Sequence, residues 1–222
     1  MVGTRELCEV SAAVTGLNGA GITVMMGDVN QGSLGASDAV SRTIEDLQFA
    51  LGEGPCIDAH RDQCPVVEPD LLGAPEPRWP AFGPLVLEAG GRALFAFPLR
   101  LGADRVGALD LYRDRPGRLT DDQHADALVM ADVVTEAVLL LQAAAPAGLL
   151  AAALAEGADL HPVVHQATGM VAVQLGVGVG EALVRLKASA FGNGRALDDV
   201  ARDVLVGTLR FDPAAEGSND GQ

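Results

Sequence analysis

Cys56, His60 and Cys64 follow one another at four-residue spacing in the stretch GPCIDAHRDQCP. On a helix that spacing stacks side chains on one face, where thiol and imidazole could share a metal ion or form a cysteine nucleophile with its base. The simpler expectation is a small buried thiol beside a surface histidine. His161 and His165 repeat the spacing in HPVVH, but the glutamate of the zinc-protease motif is missing, and Pro162 suits a first helical position. Gly176, Gly178 and Gly180 alternate with valines, yet the last glycine step of a dinucleotide-binding loop is absent and no strand precedes them; a turn between helices is expected. None of these patterns demands catalysis. The chain is expected not to be an enzyme, and the sequence identifies no cofactor and no metal site.

What remains is charge. The 222 residues carry 15 Lys and Arg against 30 Asp and Glu, a formal charge of −15. Residues 1–160 hold 10 of the basic and 23 of the acidic residues, whereas residues 161–211 hold 5 and 4. A polyanion could therefore be met only by the C-terminal piece. Cys8, Cys56 and Cys64 are too few and too irregular for a disulfide framework, which fits a reducing cytoplasm. The N-terminus lacks the apolar run of a signal peptide. Ala137–Ala155 is uncharged and long enough to span a bilayer, but it is largely alanine and broken by Gln142, Pro146 and Gly148, so no membrane is expected.

The elements that must position the C-terminal charges form three short apolar sets at helical spacing. They are Val163, Ala167, Met170, Val171 and Leu175; then Ala182, Leu183, Leu186 and Ala190; then Leu197, Val200, Ala201, Val204 and Leu205. Gly176 and Gly192-Asn193-Gly194 separate them. Helices this short are marginal alone, so the three must pack together. Val184, Lys187 and Phe191 lie opposite the main face of the second helix, where packing on another neighbour is expected. Arg185, four residues after Glu181, suits a surface ion pair. Arg195 lies in a loop, free to reach a phosphate. Gly169 inside a helix costs about 1 kcal/mol relative to alanine, which points to a close backbone approach, by a neighbouring helix or by a ligand.

The run Gln166-Ala167-Thr168-Gly169-Met170, followed by Leu175-Gly176-Val177, Glu181-Ala182-Leu183, Arg185-Leu186-Lys187 and Val200-Ala201, resembles an ANTAR domain. That resemblance implies a three-helix module that binds paired hairpins in nascent mRNA and prevents transcription termination. It implies RNA contacts by Gln166, Thr168, Gly169, Arg185, Lys187, Phe191 and Arg195, with no DNA as partner. Thr168 stands where many members have lysine, which weakens or removes a phosphate contact. The Phe191 ring, if not packed, could stack on an unpaired base.

Upstream, residues 4–17 have helical spacing, Gly21–Gly27 and Ser33–Ala36 suit a strand pair, and Ser41–Leu51 suits a helix. A loop and short helix lead to an edge strand at Pro65–Glu68, and a helix is expected over Trp79–Ala89. Ala93–Leu101 and Arg105–Tyr112 flank Gly102-Ala103-Asp104 as a hairpin, and Thr120 with Gln123 makes a capping box for a helix from Asp121 to about Gln142. This is an α+β pattern, an antiparallel sheet flanked by helices. The order, with LGEGPC after the second helix, a tryptophan helix and a GALDLY strand before the long helix, resembles a GAF domain. The resemblance implies a small-molecule sensor, ligand contacts by Cys56, Asp58 and Trp79, and a dimer; the apolar residues of Leu128–Leu141 cover more than one face of their helix, which also suits a homodimer. The expected organisation is a GAF-like sensor at 1–143, an Ala-rich linker at 144–161, an all-α three-helix ANTAR domain at 162–211 and a disordered tail at 212–222. Together these imply a cytoplasmic RNA-binding antitermination regulator that senses a small ligand. The alternatives are a ligand-binding or protein-interaction regulator that does not bind RNA, and a cysteine-based redox enzyme on the GAF fold.

Overall fold

The structure is a computed structural model that describes residues 3–27, 29–73, 77–144 and 161–212. The chain divides into two compact units, one ending at Leu160 and one beginning at His161. In the first, α1 (Thr4–Thr15) leads into the hairpin β1 (Gly19–Met26) and β2 (Val29–Ala36), then α2 (Ala39–Leu51), α3 (Pro55–Asp62), the short β3 (Val66–Glu68), α4 (Phe82–Ala89), the hairpin β4 (Ala93–Leu101) and β5 (Asp104–Arg113), and α5 (Asp121–Ala144). The five strands form one sheet in the order β2-β1-β5-β4-β3, with antiparallel neighbours throughout. This is an α+β fold, as the spacing of the apolar residues predicts.

Local signals set the element ends. Gly16 closes α1 in the left-handed region, at φ 64°, which only glycine adopts cheaply. Asp38 caps α2 by accepting from Ser41 N at 2.8 Å. At the start of α5, Gln123 N donates to Thr120 Oγ1 and Thr120 N donates to Gln123 Oε1, both at 3.2 Å, which is the expected capping box.

Strand alternation then divides the core into two layers. Ala20, Ile22 and Val24 of β1, Phe95, Phe97 and Leu99 of β4, and Leu109 and Leu111 of β5 pack with Leu7 and Cys8 of α1 and with Ala127, Met130, Val134 and Val138 of α5. On the other side Leu94, Ala96 and Tyr112 pack with Ile44 of α2, Ala59 of α3, Trp79, and Phe82 and Val86 of α4. Because β4 and β5 are covered on both faces, their sequences are nearly continuously apolar, and Asp110 is an exception inside them.

The second unit comprises α6 (Pro162–Leu175), α7 (Val179–Gly192) and α8 (Leu197–Leu205). Its core is Val164, Ala167, Val171, Ala182, Leu183, Leu186, Ala190, Leu197, Val200, Ala201 and Val204. The inward face of α6 differs from the expected one: Val164 and Thr168 occupy it, while Met170 is exposed. Thr168 serves as a core residue because its hydroxyl donates to Val164 O at 2.7 Å, one turn back, leaving its methyl to pack. Among the described residues no single helix is long and apolar enough to cross a membrane; α6 and α7 would be so only together, and they meet at 105°. Most of the expected linker at 144–161 and tail at 212–222 lies outside the described residues.

Candidate functional site

On the α2 side of the sheet, Gly21 of β1 pairs directly with Asp110 of β5. Glycine leaves the space beside Asp110 empty, and the Glu45 side chain from α2 fills it; a Cβ at Gly21 would stand 2.3 Å from Glu45 Oε1. The Thr23 hydroxyl, two residues along β1, donates to Glu45 Oε2. Glu45 and Asp110 lie in contact, and both are buried. Asp110 lies within hydrogen-bonding reach of Glu45, Gln48 and Thr23, so that the two acids hold a shared proton between them while Gln48 Nε2 stands beside Asp110. Burial pushes the Glu45 carboxyl well above the ordinary carboxylate range, and the negative charges of Asp110 and Asp46 add to the shift. Burial also raises Asp110, against the lowering effect of its polar neighbours Glu45, Gln48 and Thr23. Asp110 borders a cavity of about 10 Å³ walled by Gly21, Ser41, Ile44, Pro55, Leu94 and Tyr112.

Sequence reasoning missed this pair. An acidic residue alternating with leucines in GALDLY, and a glycine within a strand, were its two available signals.

The residues expected to bind a ligand are placed nearby but already engaged. Cys56 is fully buried, and its backbone N–H donates to Gln48 Oε1 at 2.8 Å. Asp58 accepts from Trp79 Nε1 at 3.0 Å and pairs with Arg61 at 2.9 Å and Arg78 at 3.0 Å, so it ties α3 to the segment before α4. Trp79 precedes α4 instead of lying in it, is 4% exposed, and borders a surface hollow of about 140 Å³ with Leu71, Arg78, Pro84 and Leu87.

His60 is not a surface histidine. It is buried, with Nε2 donating to the carbonyl of Gly27 at 2.8 Å. Cys64 lies past Gln63, whose φ of 54° ends α3, so it does not continue the Cys56–His60 face. Cys64 is exposed, Cys8 is buried, and burial raises the Cys8 thiol far above its ordinary value, which disfavours a thiolate. Among the described residues there is no group of three His, Cys, Asp or Glu able to hold a metal ion.

No family model matches the sequence, and no curated protein matches it. Solved structures do. The GAF domain of a phosphoenolpyruvate-protein phosphotransferase from Coxiella burnetii is 10% identical, with a TM-score of 0.50 over 63% of this chain and 82% of that one. The first unit has the GAF fold. Two further similar structures are the GAF3 domain of a Synechocystis protein in its photoproduct state, at 15% identity and a TM-score of 0.46 over 64% and 96% of the two chains, and a type II free methionine-R-sulfoxide reductase from Thermoplasma acidophilum, at 18% and 0.44 over 58% and 88%. In the GAF fold of this chain the Glu45–Asp110 pair lies between the sheet and α2, while α1 and α5 cover the opposite face.

In the second unit, Gln166 and Gly169 are exposed on α6, and a Cβ at Gly169 would meet nothing within 4 Å, so no neighbouring helix requires that glycine. Thr168 is fully buried, which removes it from the surface contacts that the resemblance implies. Phe191 is 68% exposed and Val184 63%, so the second face of α7 is not packing within the unit. Arg185 pairs with Glu181 at 3.4 Å, as its spacing predicts. Arg195 is not free: it donates to Asp203 at 2.7 Å. Such exposed pairs are worth at most about 1 kcal/mol, so a phosphate can displace the carboxylate at little cost.

Proposed function

We propose that the chain is a cytoplasmic regulator in which the GAF unit senses a small ligand and the C-terminal unit is an ANTAR module that binds hairpin RNA and opposes transcription termination. Its role is regulatory and not catalytic. The observation that carries the RNA reading is the surface of the three-helix unit: Gln166, Gly169, Phe191 and Arg195 are all exposed, and an exposed aromatic ring on a unit that also presents arginine suits stacking on an unpaired base with phosphates held by cations. The acidity of the first unit supports confining RNA to residues 162–211.

Charge reversal of Arg185 and Arg195 together should weaken binding to a two-hairpin RNA and lower the salt slope by up to about two phosphate contacts. Gel-shift titrations at several salt concentrations measure both. A double variant that binds as tightly as the parent with an unchanged slope would rule these two residues out.

The regulator acts as a homodimer through α1 and α5. Val10 and Val14 of α1 and Leu128, Val129, Val133 and Leu140 of α5 remain exposed after α5 has covered its own sheet, which leaves two apolar helix faces without cover in one chain. Light scattering at micromolar concentration should give twice the chain mass for the parent, and Val129→Asp with Val133→Asp should give the monomer. A monomeric parent would refute the assembly.

A further inference from the structure

Two clusters of unpaired charge meet at one hollow of the first unit. Where the end of the β4–β5 hairpin comes beside α5, a hollow of about 490 Å³ is walled by Arg100 and Leu101 from the hairpin and by Asp132, Glu136 and Leu140 from the helix. All five are exposed, Leu101 to 60% and Leu140 to 64%. Arg105 stands directly opposite Arg100 across the hairpin, so two like charges face each other on neighbouring strands, which is unfavourable. Asp132 and Glu136 are four residues apart on α5 and repel in the same way. Asp104 stands opposite Leu101, not opposite either arginine. Among the described residues neither arginine and neither of the two helix acids forms an ion pair.

A surface that presents both signs, each on its own wall, is self-complementary under a two-fold axis, because each copy supplies what the other lacks and does so twice. The hollow also continues an apolar face already without cover, since Leu140 belongs both to its wall and to the exposed residues of α5. Charge decides the occupant. A small anion drawn to Arg100 would meet Asp132 and Glu136, and a small cation drawn to those acids would meet Arg100; a second copy offers each wall its opposite.

Resting on the homodimer proposed above, we infer that the β4–β5 hairpin of one copy docks on α5 of the other. Arg100 and Arg105 pair with the partner's Asp132 and the partner's Glu136, and Leu101 enters the hollow beside them. Charge pairs of this kind fix the register of an interface more than they add to its affinity. The contact also ties the sheet to the assembly, because β4 and β5 run from this hairpin into both layers of the core.

The test uses the full chain in two charge-reversed forms, Arg100→Glu with Arg105→Glu, and Asp132→Arg with Glu136→Arg, with dimer dissociation followed by analytical ultracentrifugation at low salt. Each form alone should dimerise at least about tenfold more weakly than the parent, because every pair across the interface becomes repulsive. The two forms change the net charge in opposite directions, so a loss common to both is not an effect of net charge. Mixed in equal amounts they should recover a dimer close to the parent's affinity, since each hairpin then meets a helix of opposite sign. That recovery also shows that both forms fold. Forms that dimerise as tightly as the parent would overturn this contact and leave the α1 and α5 assembly standing. Weakened forms that the mixture does not rescue would overturn the pairing between copies. A monomeric parent would overturn both the assembly and the contact.

Discussion

Raising the pH from about 5 to about 8 will cost the parent protein stability that the Asp110→Asn variant keeps. The sign follows from where the protons are held. Glu45 and Asp110 both have folded-state values above the ordinary carboxylate range, because the charged forms are buried. In the unfolded chain the same groups ionise near pH 4, so over the interval above that the folded state holds more protons than the unfolded one. Stability is therefore highest at acid pH and falls as pH rises towards the folded-state values, by about 1.4 kcal/mol per pH unit for each group still protonated only in the fold. Asparagine at position 110 removes one ionisation and supplies an amide N–H towards Glu45 Oε1, which lowers the second as well. Urea titrations across this pH range should give a falling curve for the parent and a flatter one for the variant. The general repulsion within a chain of formal charge −15 is largely common to both and cancels in the comparison. Parallel curves would show that the pair is not protonated in the fold.

Asp58→Ala should destabilise the GAF unit by about 2–3 kcal/mol, whereas Asp58→Asn should cost about 1 kcal/mol or less. The alanine variant strands the Trp79 indole N–H, 4% exposed, with no acceptor, and removes the link between α3 and the segment leading to α4. The asparagine variant keeps an oxygen for that indole and gives up only the charge. Its ion partners Arg61 and Arg78 are 62% and 44% exposed, so water replaces most of what they lose. Trp79 is the only tryptophan in the chain, so its emission reports the local packing directly while denaturant titration measures the stability. Equal losses from the two substitutions would mean that the charge, not the buried indole contact, is what Asp58 contributes.

These two acids mark the limit of what a linear pattern reveals. The hairpin Ala93–Tyr112, the capping box at Thr120 and the three C-terminal helices were legible because each depends on residues a few positions apart: alternation, a threonine three before a glutamine, glycines between apolar sets. The order of elements, and with it the α+β class, followed from those local signals.

Burial of particular polar groups did not follow, because it depends on what comes from elsewhere in the chain. Asp58 has its acidic character in the sequence, but its role was fixed by a tryptophan 21 residues away, and His60 became a core residue because the carbonyl of Gly27 meets its ring. Thr168 looked like a surface polar residue until its helix was seated with Val164 facing inward, and Arg195 looked free until α8 brought Asp203 to it. Asp110 alternates with buried leucines, and only the register that sets it opposite Gly21, with α2 laid across the gap, places Glu45 against it. The sequence alone determined which elements form and where the charge is concentrated, since both are short-range or additive properties. Which acids are buried, paired or exposed was decided by tertiary structure, because desolvation and charge contact depend on distances in space that no spacing along the chain encodes.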